Sequence, residues 1–289
     1  MNTNAVSRRH FLQTGAGFAA ATGISALGAQ TPAPAPAAGG GLRIAHMCDP
    51  QFGFSSTSEP EKSYAKDLAS FEKAIAKVNE LKPDIALIAG DMTHIAADVT
   101  RDWPRLLKLF TVPVAIAPGN HDLGNEVTKE NLDRYLSVFG YDYKRFEVKG
   151  WRLLVGNSQL WKDTQKKEIL ERKERYNTWV KDELAAASSC GGRVILASHI
   201  PPFVSSIVES DSYENHPKNG RKDRLKAYLA AGVRFYLCGH LHKTLMRGWR
   251  NLTILNAEVT SRSFDERPLG FRMFELSPDF TYSWNFIPV

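Results

Sequence analysis

Cysteine is scarce in this chain, with three among 289 residues. The odd number excludes a fold held by a disulfide framework, even in an oxidising compartment. None is needed, because a chain of this length with 43% hydrophobic residues can bury one large core. There is also no dense basic run. The net charge of +6 falls to +4 once Arg8 and Arg9 are removed, and these are the only Lys, Arg, Asp or Glu among the first 28 residues. A surplus that small, spread along the chain, favours solubility and mildly attracts anionic substrates; no nucleic acid is expected as a partner. Internal repeats are absent. The one apolar N-terminal stretch, Gly15 to Ala29, is too short and too rich in Gly and Ala for a membrane span.

That stretch follows Ser7-Arg8-Arg9-His10-Phe11-Leu12-Gln13, and together they resemble a twin-arginine export signal. Residues 1–29 are read as a signal peptide cleaved near Ala26-Leu27-Gly28, residues 30–41 as a Pro/Ala/Gly linker, and residues 42–289 as one domain with no further boundary. The resemblance implies the twin-arginine translocation machinery as a partner and a periplasmic or secreted location. That pathway carries folded proteins, which suits an enzyme that acquires metal before it crosses.

From Leu42 onward, strand-like runs alternate with helical periods. Helices are expected over Glu59 to Leu81, Val99 to Phe110, Lys129 to Phe139, Lys166 to Ala187 and Arg221 to Ala231. A hairpin is expected at Lys149-Gly150. Short strands around Leu245 to Trp249, Leu252 to Asn256, Phe271 to Leu276 and Tyr282 to Ile287 are expected to close a second, mostly antiparallel sheet. Cys48 and Cys238 read as small buried residues, and Cys190 as part of a turn.

Five of the apolar runs end on an Asp, Asn or His. Leu42 to Cys48 ends at Asp49, Ile85 to Gly90 at Asp91, and Thr111 to Pro118 at Gly119-Asn120-His121-Asp122. Val194 to Ser198 ends at His199, and Val233 to Cys238 at Gly239-His240-Leu241-His242. Strands buried on both faces read as continuous apolar runs, and parallel neighbours end on one edge, so these five ends can converge into one site. Within it, Asn offers a neutral oxygen to a cation, His a proton carrier near neutral pH, and Asp122 a carboxylate to fix the tautomer of His121. His240 and His242, two apart, would face opposite sides of a regular strand, so irregular backbone is expected after Gly239.

These blocks, in this order, resemble the signature of the calcineurin-like metallophosphoesterases: Asp49-Pro50-Gln51, Gly90-Asp91, Gly119-Asn120-His121-Asp122, His199 and Gly239-His240-Leu241-His242. The opening Asp49-Pro50-Gln51-Phe52-Gly53 is most like a small single-domain branch that includes an animal serine/threonine protein phosphatase. The resemblance implies an α/β fold of two packed mixed β-sheets flanked by helices, an α/β/β/α sandwich over residues 42 to 289. It also implies two divalent or mixed-valence metal ions, Mn, Fe, Zn or Mg. Asp49 and His242 would hold the first, Asp91 would bridge both, and Asn120, His199 and His240 would hold the second.

Gln51 stands where most of the family has His. It either binds the first metal weakly, directly or through water, or is a polar neighbour. The implied chemistry is attack of metal-activated hydroxide on a phosphate ester, with His121 protonating the leaving oxygen. His46 and His94 are left to packing or support. Phe52, Asn157, Gln159, Trp161, Tyr213, Asn215, His216 and Arg221 follow strand ends and are the candidates for contacting substrate, with Arg221 able to grip a phosphate in bidentate fashion. A phosphomonoesterase, protein phosphatase-like or not, leads the readings. A phosphodiesterase or pyrophosphatase on nucleotides or lipid head groups is the alternative, and a non-catalytic metal or phosphate-binding protein the second.

Overall fold

The apolar runs are strands, and they lie in two six-stranded sheets. The computed structural model describes residues 41–289 apart from 57 and 163; the expected signal and almost all of the linker lie outside the described residues. The first half of the chain contains β1 (Leu42–Cys48), α1 (Pro60–Leu81), β2 (Ile85–Ala89), α2 (Val99–Leu106), β3 (Val114–Ala117), the single turn α3 (Asn120–Leu123) and α4 (Lys129–Phe139). A hairpin follows, β4 (Lys144–Val148) and β5 (Trp151–Val155), whose turn residues Lys149 and Gly150 have φ of 50° and 76°. Such mirror-image turns match the twist of paired strands. Then come α5 (Lys167–Ala185), β6 (Val194–Ala197), α6 (Arg221–Ala230), β7 (Phe235–Cys238), β8 (Met246–Trp249), β9 (Leu252–Asn256), β10 (Glu258–Val259), β11 (Gly270–Leu276) and β12 (Tyr282–Pro288).

The two-sheet architecture agrees with the sequence reading, but the distribution of the late strands does not. They do not build a sheet of their own. The order β12-β11-β1-β2-β3, with β10 beside the end of β1, makes one sheet, and β4-β5-β6-β7-β9-β8 makes the other. β8 and β9 extend the sheet of β7, while β11 returns to pair antiparallel with β1, Leu42 opposite Leu276. Alternating apolar residues say which face of a strand is buried, not which strand lies beside it.

Alternation explains the layers. Leu42, Ile44, Ile85, Leu87, Ala115 and Ala117 of one sheet meet Trp151, Leu153, Val155, Ile195, Phe235 and Leu237 of the other in a shared apolar layer. The intervening residues Ala45, Met47, Ala86 and Ile88 face outward onto helices, where Phe71, Ala74, Ile75 and Val78 of α1 recur at helical spacing. Both faces of the central strands are therefore buried. α1 ends with Lys82 in the left-handed region, φ 48°, just before Pro83. α2 is shorter than the sequence pattern suggests, running to Leu106 before a tight 3-10 turn at Leu107–Leu109. Pro104 within it lacks the N–H that would bond one turn back, to Thr100. Among the described residues, no helix is long and apolar enough to cross a membrane.

Candidate metal centre

The five strand ends do converge, and they come from both sheets: β1, β2 and β3 from one, β6 and β7 from the other. Asp49, Gln51, Asp91, Asn120, His199, His240 and His242 are all buried. Backbone strain is concentrated there. Asp49, Gln51, Asp91, His240 and His242 have φ of 48°, 36°, 56°, 77° and 51°. Non-glycine residues adopt that region reluctantly, and such strain collects at functional sites. The irregular backbone after Gly239 is thus present, and it lets His240 and His242 both face inward. Two glycines make the close approach feasible: a Cβ on Gly90 would lie 2.7 Å from the Cβ of His199, and one on Gly119 would lie 2.8 Å from Cγ of Asp91.

Each histidine is held from behind by a backbone carbonyl. His199 Nδ1 lies 2.8 Å from the Ala89 oxygen, His240 Nε2 2.9 Å from that of Tyr213, and His242 Nδ1 2.6 Å from that of Arg262. A carbonyl only accepts, so these ring nitrogens carry the proton and donate it. The opposite nitrogens then present lone pairs to the site. His199 Nε2 is 3.1 Å from His240 Nδ1, 3.1 Å from Asn120 Oδ1 and 3.2 Å from Asp91 Oδ2. Asn120 is oriented oxygen-inward because its amide donates to the Tyr213 hydroxyl at 2.7 Å. Four atoms with lone pairs thus face one another, and a cation, either a metal ion or a proton on His199 Nε2, offsets their repulsion.

Such a group repels itself unless a cation sits among its members. Two ligands about 2.1 Å from one ion and at right angles to each other lie about 3.0 Å apart, close to the spacing seen. The ligand atoms of Asp91, His199 and His240 all lie within 4.8 Å of one another. A second pair stands beside them: His242 Nε2 faces Asp49 Oδ1 at 3.3 Å. That Asp49 oxygen and Gln51 Oε1 are buried without a hydrogen-bond partner, as oxygens that bind a cation would be. The donor set of imidazole, carboxylate and amide oxygen therefore fits divalent metal.

Charge shifts report the same crowding. Burial lowers His199, but Asp91 beside it outweighs that and pushes the imidazole up to about 9. Burial, and then His199, push His240 down to about 3. Burial raises Asp91, yet His199 holds it below the usual carboxylate range. Asp122 is pushed up to about 7 by burial and by Asp91; a cation nearby would reverse that.

The expected pairing of Asp122 with His121 is not what the structure shows. Asp122 accepts from the backbone N–H groups of Asp91 at 3.0 Å, Gly119 at 2.7 Å and Met92 at 2.8 Å. Adjacent residues on a helical turn diverge by about 100°, so its carboxylate pins two strand ends together instead. The ring of His121 is held by the carbonyl of His94, 2.9 Å from Nδ1, and the His94 ring stacks on it at 5.0 Å.

Most of the loop residues expected as candidates for contacting substrate are structural. Phe52 stacks on Trp103 in the core, and Trp161 packs between Tyr176 and His216. Asn157 donates to Asp142, and Asn215 to Glu209. Gln159 is buried with both side-chain polar atoms unpaired. His216 meets the Tyr236 hydroxyl, and burial holds its imidazole well below the usual range. Arg221 is 1% exposed and donates to the carbonyls of His216, Ile207 and Glu209, so it cannot grip a phosphate. Its position after a strand hides that it is turned inward to tie down the Ile207 to His216 loop. Only Tyr213 borders the centre, 53% exposed with its ring 4.7 Å from that of His240.

Sequence reasoning missed Phe54 and Phe264, whose rings lie against His242, that of Phe54 reaching His121 as well, and Arg262, whose guanidinium lies beside both rings. Phe54 follows the first block closely and was within reach of a sequence argument; nothing local points from Phe264 to the site.

Fold and site together define a class. Residues 42–244 match the family model described as calcineurin-like phosphoesterase. The chain belongs to that family and is a metal-dependent phosphoric ester hydrolase. It is 32% identical over 243 residues to the serine/threonine-protein phosphatase CPPED1 of Rattus norvegicus, with 78% of this chain and 77% of that one covered. Among solved structures it is similar to a dimetal phosphatase from Danio rerio, with a TM-score of 0.58 at 13% identity over 81% of this chain and 95% of that one. It is also similar to GAP50, the anchor in the inner membrane complex of Plasmodium, with a TM-score of 0.59 at 14% identity over 86% and 84%. At those identities the structures speak for the fold.

Proposed function

We propose that this protein is an exported two-metal phosphomonoesterase. The observation that carries the reading is the set of four facing acceptors, Asp91 Oδ2, Asn120 Oδ1, His199 Nε2 and His240 Nδ1, each oriented from behind, Asp91 by the backbone N–H of His121 on its other oxygen. Asn120, His199 and His240 would hold one ion, Asp49, His242 and Gln51 the other, and Asp91 both. Bound there, the ions supply Lewis acidity for activating water and neutralising phosphoryl charge. The chain's own part is positioning and proton transfer. With Nδ1 of His121 donating to the His94 carbonyl, Nε2 is the nitrogen that carries the second proton when the ring is charged, and it hands that proton to the leaving oxygen. The monoester is favoured over the diester by the likeness to a protein phosphatase.

Export is supported by Ser7-Arg8-Arg9-His10-Phe11-Leu12-Gln13 and the weakly apolar stretch after it. On this reading residues 1–29 are removed, residues 30–41 are a linker, and residues 42–289 are the metallophosphoesterase domain, released in the periplasm or outside the cell. Replacing Arg8 and Arg9 together by Lys should leave the protein inside the cell, as read by fractionation; unchanged export would end this part of the proposal.

For the chemistry, the full chain is stripped of metal and refilled with Mn, Fe, Zn or Mg. It is then given p-nitrophenyl phosphate beside bis-p-nitrophenyl phosphate. Metal-dependent turnover of the monoester is expected, falling by roughly 10²–10⁴ in His121→Ala at unchanged metal content. Preference for the diester would move the assignment to a phosphodiesterase, and two bound ions with no turnover of either to a binding protein.

A further inference from the structure

Two aromatic side chains stand over the side of the centre where His121 waits for the leaving group. The Phe54 ring lies 5.0 Å from that of His242, 5.2 Å from His94 and 6.4 Å from His121. Phe264, 55% exposed, stacks on His242 at 4.8 Å with 26° between planes and meets Phe54 edge-on at 6.0 Å. Core packing does not account for an exposed ring laid flat on a buried histidine.

Both rings are fixed in place. The buried carboxylate of Asp67 accepts from the backbone N–H groups of Gly53, Phe54 and Ser55 at 3.0, 3.0 and 3.1 Å, clamping the loop that carries Phe54. Phe264 donates its backbone N–H to the His242 carbonyl at 2.7 Å, and Asp265 accepts from Thr244 N at 2.8 Å. The turn bearing Phe264 is thereby locked to the segment bearing His242. Preorganised aromatic rings lose little entropy on meeting a ligand. The Arg262 guanidinium lies 5.7 and 5.8 Å from the two ring centroids and adds positive charge at the rim.

We propose that Phe54 and Phe264 form a leaving-group subsite for a planar aromatic group, so that the preferred substrates are aryl or arylmethyl phosphates rather than alkyl phosphates. This rests on the phosphomonoesterase reading above. The direction follows from geometry: the ester oxygen must reach His121, and the group beyond that oxygen then meets Phe54 and, beyond it, Phe264. On the opposite side, over His240, the Tyr213 hydroxyl is already engaged by Asn120.

The test compares benzyl phosphate with isobutyl phosphate, whose leaving alcohols are of similar acidity, so that intrinsic reactivity does not decide. The full chain supplied with Mn is used. Binding of benzylphosphonate and isobutylphosphonate, which cannot be hydrolysed, is measured by calorimetry alongside. The benzyl compound is expected to win by roughly fivefold in kcat/KM and in affinity, the scale of an aromatic pair. Phe264→Ala and Phe54→Ala should each pull that ratio toward one, and Phe264→Tyr should keep it. A ratio near one in the unsubstituted protein, or a ratio that neither alanine variant moves, overturns the subsite. Equal turnover of both esters with equal phosphonate binding leaves the phosphatase reading standing and removes this one. A retained phosphonate preference without turnover does the reverse.

Discussion

Asp122→Asn separates two jobs that adjacent residues could share. In the structure its carboxylate takes three backbone N–H groups, from Asp91, Gly119 and Met92. An amide of the same shape keeps one oxygen and turns an NH2 toward at least one of those donors. A buried N–H then loses its acceptor and faces another donor, a cost of about 2–3 kcal/mol, with loss of the charge-assisted bonds at the upper end. For a unit of this size, that is about 4–12 °C in Tm. Because Asp91 and Gly119 are the residues released, the metal-binding end of β2 should loosen too. The assay is thermal unfolding of the Mn-supplied full chain, with bound metal counted by mass spectrometry and turnover of p-nitrophenyl phosphate measured on the same samples. Expected are a lower Tm, substoichiometric metal and a loss of activity that excess Mn partly restores. A Tm within about 1 °C of the unsubstituted protein, full metal content and a tenfold or greater fall in kcat would refute this reasoning and return Asp122 to service as the orienter of His121.

Gly119→Ala should lose metal and lower kcat/KM by roughly 10² or more, since its Cβ would crowd the carboxylate of Asp91; normal metal content in the variant would contradict the close approach. Chelation should lower Tm by about 8–16 °C, the scale of a ligand held at a thousand times its Kd, and Mn should restore it. An unchanged Tm would mean that the facing acceptors do not repel. Arg221→Ala should cost about 1–3 kcal/mol by stranding the buried carbonyl of His216, seen as a fall in Tm, while KM for p-nitrophenyl phosphate stays within about twofold. A large rise in KM at unchanged Tm would reinstate Arg221 as a phosphate contact.

Much of this protein could be read from the linear chain. β1, β2 and the residues after them were legible because a strand buried on both faces has to be apolar throughout, and the polar residue that ends it marks the sheet edge. Asp49, Asp91, Asn120, His199, His240 and His242 stand at such ends, and even the backbone distortion at His240 and His242 followed from two side chains needing one face of a period-two chain. Other features belong to the tertiary structure alone. β11 pairs with β1 across more than two hundred residues, and a strand's pattern does not name its neighbour. The partner of His121 is a carbonyl, that of His94, and any residue type supplies one. Arg221 looks the same in sequence whether it reaches out for a phosphate or, as here, is 1% exposed under its own loop. Phe264 reaches His242 only because the turn after β10 folds back onto the end of β7. Residue type and local period thus determined which chemistry the strand ends carry, while packing between distant segments decided which groups orient that chemistry and what surrounds it.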